Sequence, residues 1–497
     1  MKTFKWIVWV IVIHSVCTNE LSGENIKASF DTLTFTVKTY DGLELPARVM
    51  NRESHDKKMI LFINGSTPYD EKGNIGAFWT DEGKIFKEKH NFYHRFIDIM
   101  SSKGYPIATM AKRSFICPTK IPRPNFSDLA LDIKCYIGEL KRRGLLKDEK
   151  DLVIVGYSEG SIVASKVLGI LKSKPHACIL LGSADLTCNC NNPEIENFYM
   201  TDVLRRLKDW TDKQIKAEFS QLCQLQEDLS NMDEEQFENE YKHSNPFGFS
   251  FAMWESFYIN REVAFYEPVP NLLYANIPVL ICVGEDDASM PMVKAKETYT
   301  KLKNRGSDKV TFRSIKEEVH QYKKYDVFAI IDTWLSSKFQ STDFQLQKSD
   351  SLIIEKHARA NELTEEIEAL PYEGGSPRKV LSCYHKALET GMTDMKIWFT
   401  LGVKLFTKGY NDEAYNSFTK ATDSGFPACF ASFVWMGHIK DLRNQRKEAI
   451  SFYKKGLDAY PGFPVQHDHL NIKIDNKWIE ERIKMPFKEE LYLDGKR

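Results

Sequence analysis

Three things are scarce in this chain of 497 residues: surplus charge, long apolar runs, and cysteine or histidine at metal-binding spacing. Lysine and arginine (68) nearly balance aspartate and glutamate (69), for a net charge of −1. That balance indicates neither nucleic acid nor an anionic membrane surface as a partner. The N-terminal apolar run, Trp6 to Ile13, is too short for a stable membrane-spanning helix. Cys188-Asn189-Cys190 hints at a ligand pair, but no second Cys or His pair stands at ligand spacing. Zinc is therefore excluded, and no cofactor or metal is expected. Hydrophobic residues at 42% and charged residues at 28% rule out a disordered or fibrous chain, and the length favours two to four domains, each with its own core.

What is present begins with the N-terminus. Lys2 and Lys5 precede the short apolar run, and Ser15 and Cys17 supply small residues after it. This predicts a signal peptide over 1–17 and an exported protein, secreted or periplasmic. The alternatives are an uncleaved N-terminal anchor or lipid attachment at Cys17, the only routes to a membrane that the sequence offers. Nine cysteines remain after Cys17, an odd number, and Cys135, Cys178 and Cys282 fall in apolar segments as buried thiols. A disulfide from Cys188 or Cys190 to Cys117 or Cys223 is left open.

The chain is organised around 151–164. Leu152 to Val155 is too short an apolar run for a helix and reads as a strand buried on both faces. Gly156-Tyr157-Ser158-Glu159-Gly160 follows, and Ile162, Val163, Val167 and Leu168 then recur at helical spacing. Strand, tight turn and helix, with a serine at the apex, is the setting that the G-x-S-x-G turn requires. Glycines on both sides let strand and helix pass the serine without a Cβ in the way.

Around this turn strands alternate with helices, which predicts a parallel sheet covered on both faces. A hairpin turns at Asp41-Gly42, and strands follow at Met59–Ile63, 106–110, 177–182, 277–284 and 310–312. Helices are expected near 92–100, at 127–144 with Ser127 as N-cap, at 291–304 and at 322–337. A polar stretch over 185–270 reads as a helical insertion, in which Trp254, Phe257 and Tyr258 could line a pocket. After a polar linker, residues 351–497 contain a repeat. Trp398, Leu401, Gly402, Glu413-Ala414 and Phe418 recur as Phe433, Met436, Gly437, Glu448-Ala449 and Tyr453, an offset of 35. Paired helices at that period resemble tetratricopeptide repeats and imply a surface for a protein partner, or packing against the rest of the chain.

A serine at such a turn needs a base, and the base an orienting acid. Gly284-Glu285-Asp286-Asp287 ends a strand; Asp287 is the expected acid and Asp286 the runner-up. His320, beyond the 310–312 strand, has the order and spacing expected of the base. Two backbone donors would receive an oxyanion: the N–H of Glu159 and that of Ser66, where Gly65 allows close approach. Together the hairpin, the Asn64-Gly65 loop, the 156–160 turn, Asp287 and His320 resemble the α/β-hydrolase superfamily over about 27–338. Glu159 in the turn is similar to the serine aminopeptidase (S33-like) and dienelactone-hydrolase-like branches. The fold class this implies is an α/β-hydrolase sheet with a helical cap at 185–270, plus an all-α C-terminal domain. The resemblance implies catalysis by Ser158, Asp287 and His320, without a cofactor, on a small acyl or peptide substrate carrying an ester, thioester or amide bond. Acyl transfer on the same fold, and a non-catalytic scaffold acting through the repeats, are the rival readings.

Overall fold

The computed structural model describes residues 31–488, except 53–55, 67–68, 75–91, 117–125, most of 183–265, 288–289, 291, 373, 393–394, 423–429, 461–464 and 468–471. The 1–17 segment, almost all of the expected cap with Trp254, Phe257 and Tyr258, and Cys117, Cys188 and Cys190 lie outside the described residues.

Eight strands form one sheet: β1 (Thr32–Lys38), β2 (Glu44–Met50), β3 (Met59–Ile63), β4 (Ile107–Met110), β5 (Leu152–Tyr157), β6 (Ala177–Leu181), β7 (Val279–Gly284) and β8 (Val310–Ile315). Their order across the sheet is β1-β2-β4-β3-β5-β6-β7-β8. β2 runs antiparallel to β1 and β4, and every other neighbouring pair is parallel. The hairpin closes where expected, with Val37 opposite Leu45 and Gly42 at φ 90°, a conformation that suits a residue without Cβ.

Helices α1 (Phe92–Ser102), α2 (Arg113–Ile116), α3 (Phe126–Arg142), α4 (Glu159–Ile170), α5 (Val269–Ala275), α6 (Met292–Asn304) and α7 (Asp326–Ser336) complete this part. Strand side chains alternate faces with period two, and each face carries a core. Ile154, Cys178 and Leu180 pack with α3, α4, α5 and α6. Val153, Val155, Ile179 and Leu181 pack with α1 and α7 on the other side. α5 begins where the expected insertion ends, and its Val269, Leu272 and Ala275 belong to the first of these cores. This sheet, sandwiched by helices and carrying a serine turn after its central strand, is an α/β-hydrolase fold.

Two helix starts differ from expectation. α3 begins at Phe126, so Ser127 is not its cap; its hydroxyl instead accepts from Lys166 Nζ at 2.8 Å. α7 begins at Asp326, not 322, because Tyr322 is held at φ 46° and the amides of Lys323 and Lys324 are taken by the Glu318 carboxylate. A tertiary contact has overridden helical periodicity there.

Beyond α7 the chain is helical: α8 (Lys348–Ala369), α9 (Pro377–Glu389), α10 (Met395–Phe406), α11 (Asn411–Thr422), α12 (Phe430–Leu442) and α13 (Arg446–Asp458). A small pair, β9 (Val465–His467) and β10 (Ile472–Ile474), then leads to α14 (Asn476–Lys484). The sequence repeat has a packing counterpart. A Cβ on Gly402 would lie 2.7 Å from the Phe418 ring, and one on Gly437 would lie 2.5 Å from the Tyr453 ring. Each glycine lets the aromatic of the following helix press against the backbone. α8 joins the two parts: Ile353 packs on the α1–α7 core, whereas Leu363 and Ile367 sit in the C-terminal core. Lys103, just past α1, donates to Asp350 of α8 at 3.0 Å.

Lys404 on α10 is buried with 1% exposure. Its ammonium donates to the carbonyls of Ile367 and Glu368 at 2.6 and 3.1 Å, and also to that of Leu370, which closes the C-terminal end of α8. A cation suits that end, where carbonyls lack intrahelical partners and the dipole is negative. Replacing it by Met strands those carbonyls, so Lys404→Met is expected to lower stability by about 2–4 kcal/mol in urea unfolding.

Candidate active site

β5 delivers Ser158 to the carboxyl edge of the sheet in a strained conformation, φ 56° and ψ −128°. Non-glycine residues rarely adopt it, and it persists because the surroundings over-determine it. The Ser158 N–H donates to Leu181 O at 2.9 Å, and its carbonyl accepts from the Ser161 N–H at 2.8 Å. The glycines have different roles. A Cβ on Gly156 would stand 2.2 Å from the Gly160 carbonyl oxygen, inside the turn. A Cβ on Gly160 would stand 2.1 Å from Ile63 O, so here the first turn of α4 lies on the end of β3.

The loops after β7 and β8 bring the other two residues to the same edge. His320 Nε2 lies 2.8 Å from Ser158 Oγ. His320 Nδ1 lies 2.9 and 3.1 Å from the two oxygens of Asp287. A carboxylate only accepts, so Nδ1 carries the ring proton and the Nε2 lone pair faces the serine hydroxyl. Asp287 is 1% exposed and also accepts from the Met290 N–H at 2.7 Å, so it orients the imidazole and caps the turn before α6 at once. Asp286 is exposed, and among the described residues only its backbone N–H is engaged, with Glu318 O at 2.9 Å. Of the two acids, the structure brings Asp287 to His320.

The sequence reading missed what holds the histidine loop. Arg95, buried on α1, donates to Tyr322 O and Gln321 O, both at 2.6 Å. Glu318, 1% exposed, accepts from the backbone N–H groups of Val319, Lys323 and Lys324 at 3.0, 2.7 and 2.8 Å. One buried cation thus fixes the carbonyls of the loop, and one buried anion fixes its amides. Burial pushes the Glu318 carboxyl up, and these amide hydrogen bonds pull it back. Tyr157 stacks on the imidazole with ring centroids 5.4 Å apart and donates to His320 O at 3.2 Å. A signal for Arg95 did exist: with Phe92, Phe96 and Ile99 it lies on the apolar stripe of α1, where an unpaired arginine would be costly. Nothing in the sequence marks Glu318 over Glu317.

The two expected oxyanion donors, Glu159 and Ser66, lie on segments next to the serine. Glu159 opens α4, and its N–H belongs to the unpaired first turn of that helix. Gly65 comes so close that a Cβ there would lie 3.0 Å from Ser158 Cβ, so the loop that carries Ser66 runs next to the nucleophile. The turn that follows contains Asp70, 1% exposed, which accepts from the N–H groups of Lys72 and Asn74 and from Asn74 Nδ2. Burial, and after it the neighbouring Glu71 carboxylate, push the Asp70 carboxyl up to about 7. Among the described residues no group of His, Cys, Asp or Glu side chains could hold a metal ion. Cys223 is disulfide-bonded, whereas Cys135, Cys178, Cys282 and Cys383 are free thiols.

Two outcomes follow from these contacts. Arg95→Met frees the loop carbonyls, and because a displacement of about 1 Å can cost on the order of 100-fold in rate, turnover should fall by about that factor while the chain stays folded by circular dichroism. For Asp70, the folded state keeps its proton up to about pH 7, whereas the unfolded chain releases it near the ordinary carboxyl value of 3.8. The folded state then binds more protons, so this residue's contribution falls as pH rises between those values. Asp70→Asn should remove that downward slope, measured as urea midpoints at several pH values.

No protein-family model matches the chain, and no curated protein matches its sequence. Solved structures do resemble it. An esterase from Pyrococcus furiosus is 15% identical, with 63% of this chain and 90% of that one covered and a TM-score of 0.35. A serine hydrolase from Cycloclasticus zankles is 12% identical, covering 62% of this chain and 100% of that one, at a TM-score of 0.36. An acylaminoacyl peptidase from Pyrococcus horikoshii is 17% identical at a TM-score of 0.36, covering 68% of this chain and 45% of that one.

Proposed function

We propose that the protein is a serine hydrolase that cleaves a carboxylic ester, thioester or amide bond through an acyl-enzyme on Ser158. One observation carries this reading: the unbroken hydrogen-bonded line from Asp287 through His320 to Ser158, at 2.9 and 2.8 Å. The Ser158 oxygen attacks the acyl carbon while its proton passes to His320 Nε2, and Asp287 stabilises the imidazolium that forms. The oxyanion of the tetrahedral intermediate accepts hydrogen bonds from the N–H groups of Glu159 and Ser66. The imidazolium then returns its proton to the leaving group. Water, deprotonated by the same nitrogen, releases the acid and restores the serine.

Export belongs to the same proposal. It rests on the N-terminal segment and is supported by the disulfide at Cys223, since such bonds persist in oxidising compartments. The tetratricopeptide likeness of 351–497 is supported by the matched packing of Gly402 under Phe418 and Gly437 under Tyr453.

A fluorophosphonate probe tests the reaction directly. Wild type should label on one serine, Ser158→Ala should not label, and p-nitrophenyl esters set against aminoacyl amides assign the bond. Asp287→Asn should lose about 10⁴-fold in kcat by favouring the wrong tautomer. Asp286→Asn should stay within about threefold of wild type, as expected of a surface substitution. A wild-type protein that neither labels nor turns over any of these substrates overturns the reading.

A further inference from the structure

The two oxyanion donors belong to segments that follow different strands. Ser66 follows β3 and Glu159 follows β5, and these strands are neighbours, with Ile63 opposite Gly156. One side chain joins the two segments. Lys112, just past β4, donates from Nζ to Gly65 O at 2.6 Å and to Glu159 Oε1 at 2.7 Å. Its own backbone is fixed, the N–H donating to Tyr69 O at 2.9 Å. Both side chains are largely shielded from solvent, Lys112 at 11% exposure and Glu159 at 16%.

The carbonyl of Gly65 and the N–H of Ser66 belong to one peptide unit. A trans peptide is planar, and its C=O and N–H point in opposite directions. A cation that holds the Gly65 oxygen therefore also sets the direction of the Ser66 N–H. Through the Glu159 carboxylate the same ammonium holds the first turn of α4, whose leading N–H is the second donor. It also neutralises a carboxylate that stands one residue from the nucleophile, where uncompensated negative charge would oppose an oxyanion. We propose that Lys112 is a positioning residue that aligns the two halves of the oxyanion hole. This rests on the serine hydrolase reading. Lys112 donates no hydrogen bond to substrate in this role; it acts through Gly65 and Glu159.

The experiment compares Lys112→Met, Lys112→Arg and Glu159→Ala with wild type, on an ester that wild type turns over. Misaligned donors weaken the transition state and leave ground-state binding intact. Lys112→Met should therefore lose about 100-fold in kcat, the scale of one lost oxyanion donor, with KM changed less than threefold. Affinity for a boronic acid inhibitor, which mimics the tetrahedral state, should fall by the same factor as kcat/KM. Lys112→Arg, which keeps the cation and has donors for both partners, should recover at least tenfold of that loss. Glu159→Ala, which releases only the helix side, should lose about tenfold in kcat. If Lys112→Met does not fold, Glu159→Ala decides, and an unchanged kcat there overturns the proposal. Lys112→Met with wild-type kcat, or with kcat and KM spoiled together and no matching loss of boronate affinity, also overturns it while the hydrolase reading stands. A wild type inert to probe and substrates removes both.

Discussion

The contact on which the site depends is backbone against backbone. The first turn of α4 lies on the end of β3 so closely that the position of a Cβ on Gly160 is 2.1 Å from the Ile63 carbonyl oxygen. This crossing forces the chain to reverse within a few residues after β5, which puts Ser158 at φ 56°. It also presents the unpaired N–H groups of α4 on the side of the sheet where β3 releases the Asn64-Gly65-Ser66 loop. Strain at the serine and the close approach of the Gly65 loop to it thus have one cause. The residues that pack around it are nearly all apolar and buried, so the strain is held by the two cores on either face of the sheet.

Charged side chains fix the loops that those cores cannot. Arg95 and Glu318 are both almost fully buried, and each spends its charge on backbone groups of the loop that carries His320. Hydrogen bonds to charged groups are roughly twice as strong as neutral ones, so a loop of non-regular structure acquires the definition of a secondary element. Lys404 does the same for the end of α8, which suggests a recurring device in this chain: buried cations on helices that bind the carbonyls of another segment.

Much of the sheet was legible in the sequence because its signals are local. Buried strands are short apolar runs, the elbow is a strand, a turn and a helix in sequence, and the order Ser158, Asp287, His320 follows from which strands end at one edge. The residues that were not legible act across the fold. Arg95 meets its loop more than 200 residues later, and Lys112 reaches back to Gly65 and forward to Glu159. No window of sequence contains both partners. The start of α7 was misplaced for the same reason, since its periodic apolar residues do extend upstream, but Glu318 had already taken the amides that a helix would need.

α8 is shared property. Its early residue Ile353 rests on the core formed with α1, and its later residues Leu363 and Ile367 are built into the C-terminal core. At 1.5 Å per residue its 22 residues make a rod about 33 Å long. The near end is bolted to the residue just past α1 through Lys103 and Asp350, and to α1 itself where His357 Nε2 stands 3.1 Å from Asp98. α1 is also the helix from which Arg95 grips the histidine loop. The distal stack and the loop that carries the imidazole are thus anchored to the same helix, one through a stiff rod and the other through a guanidinium.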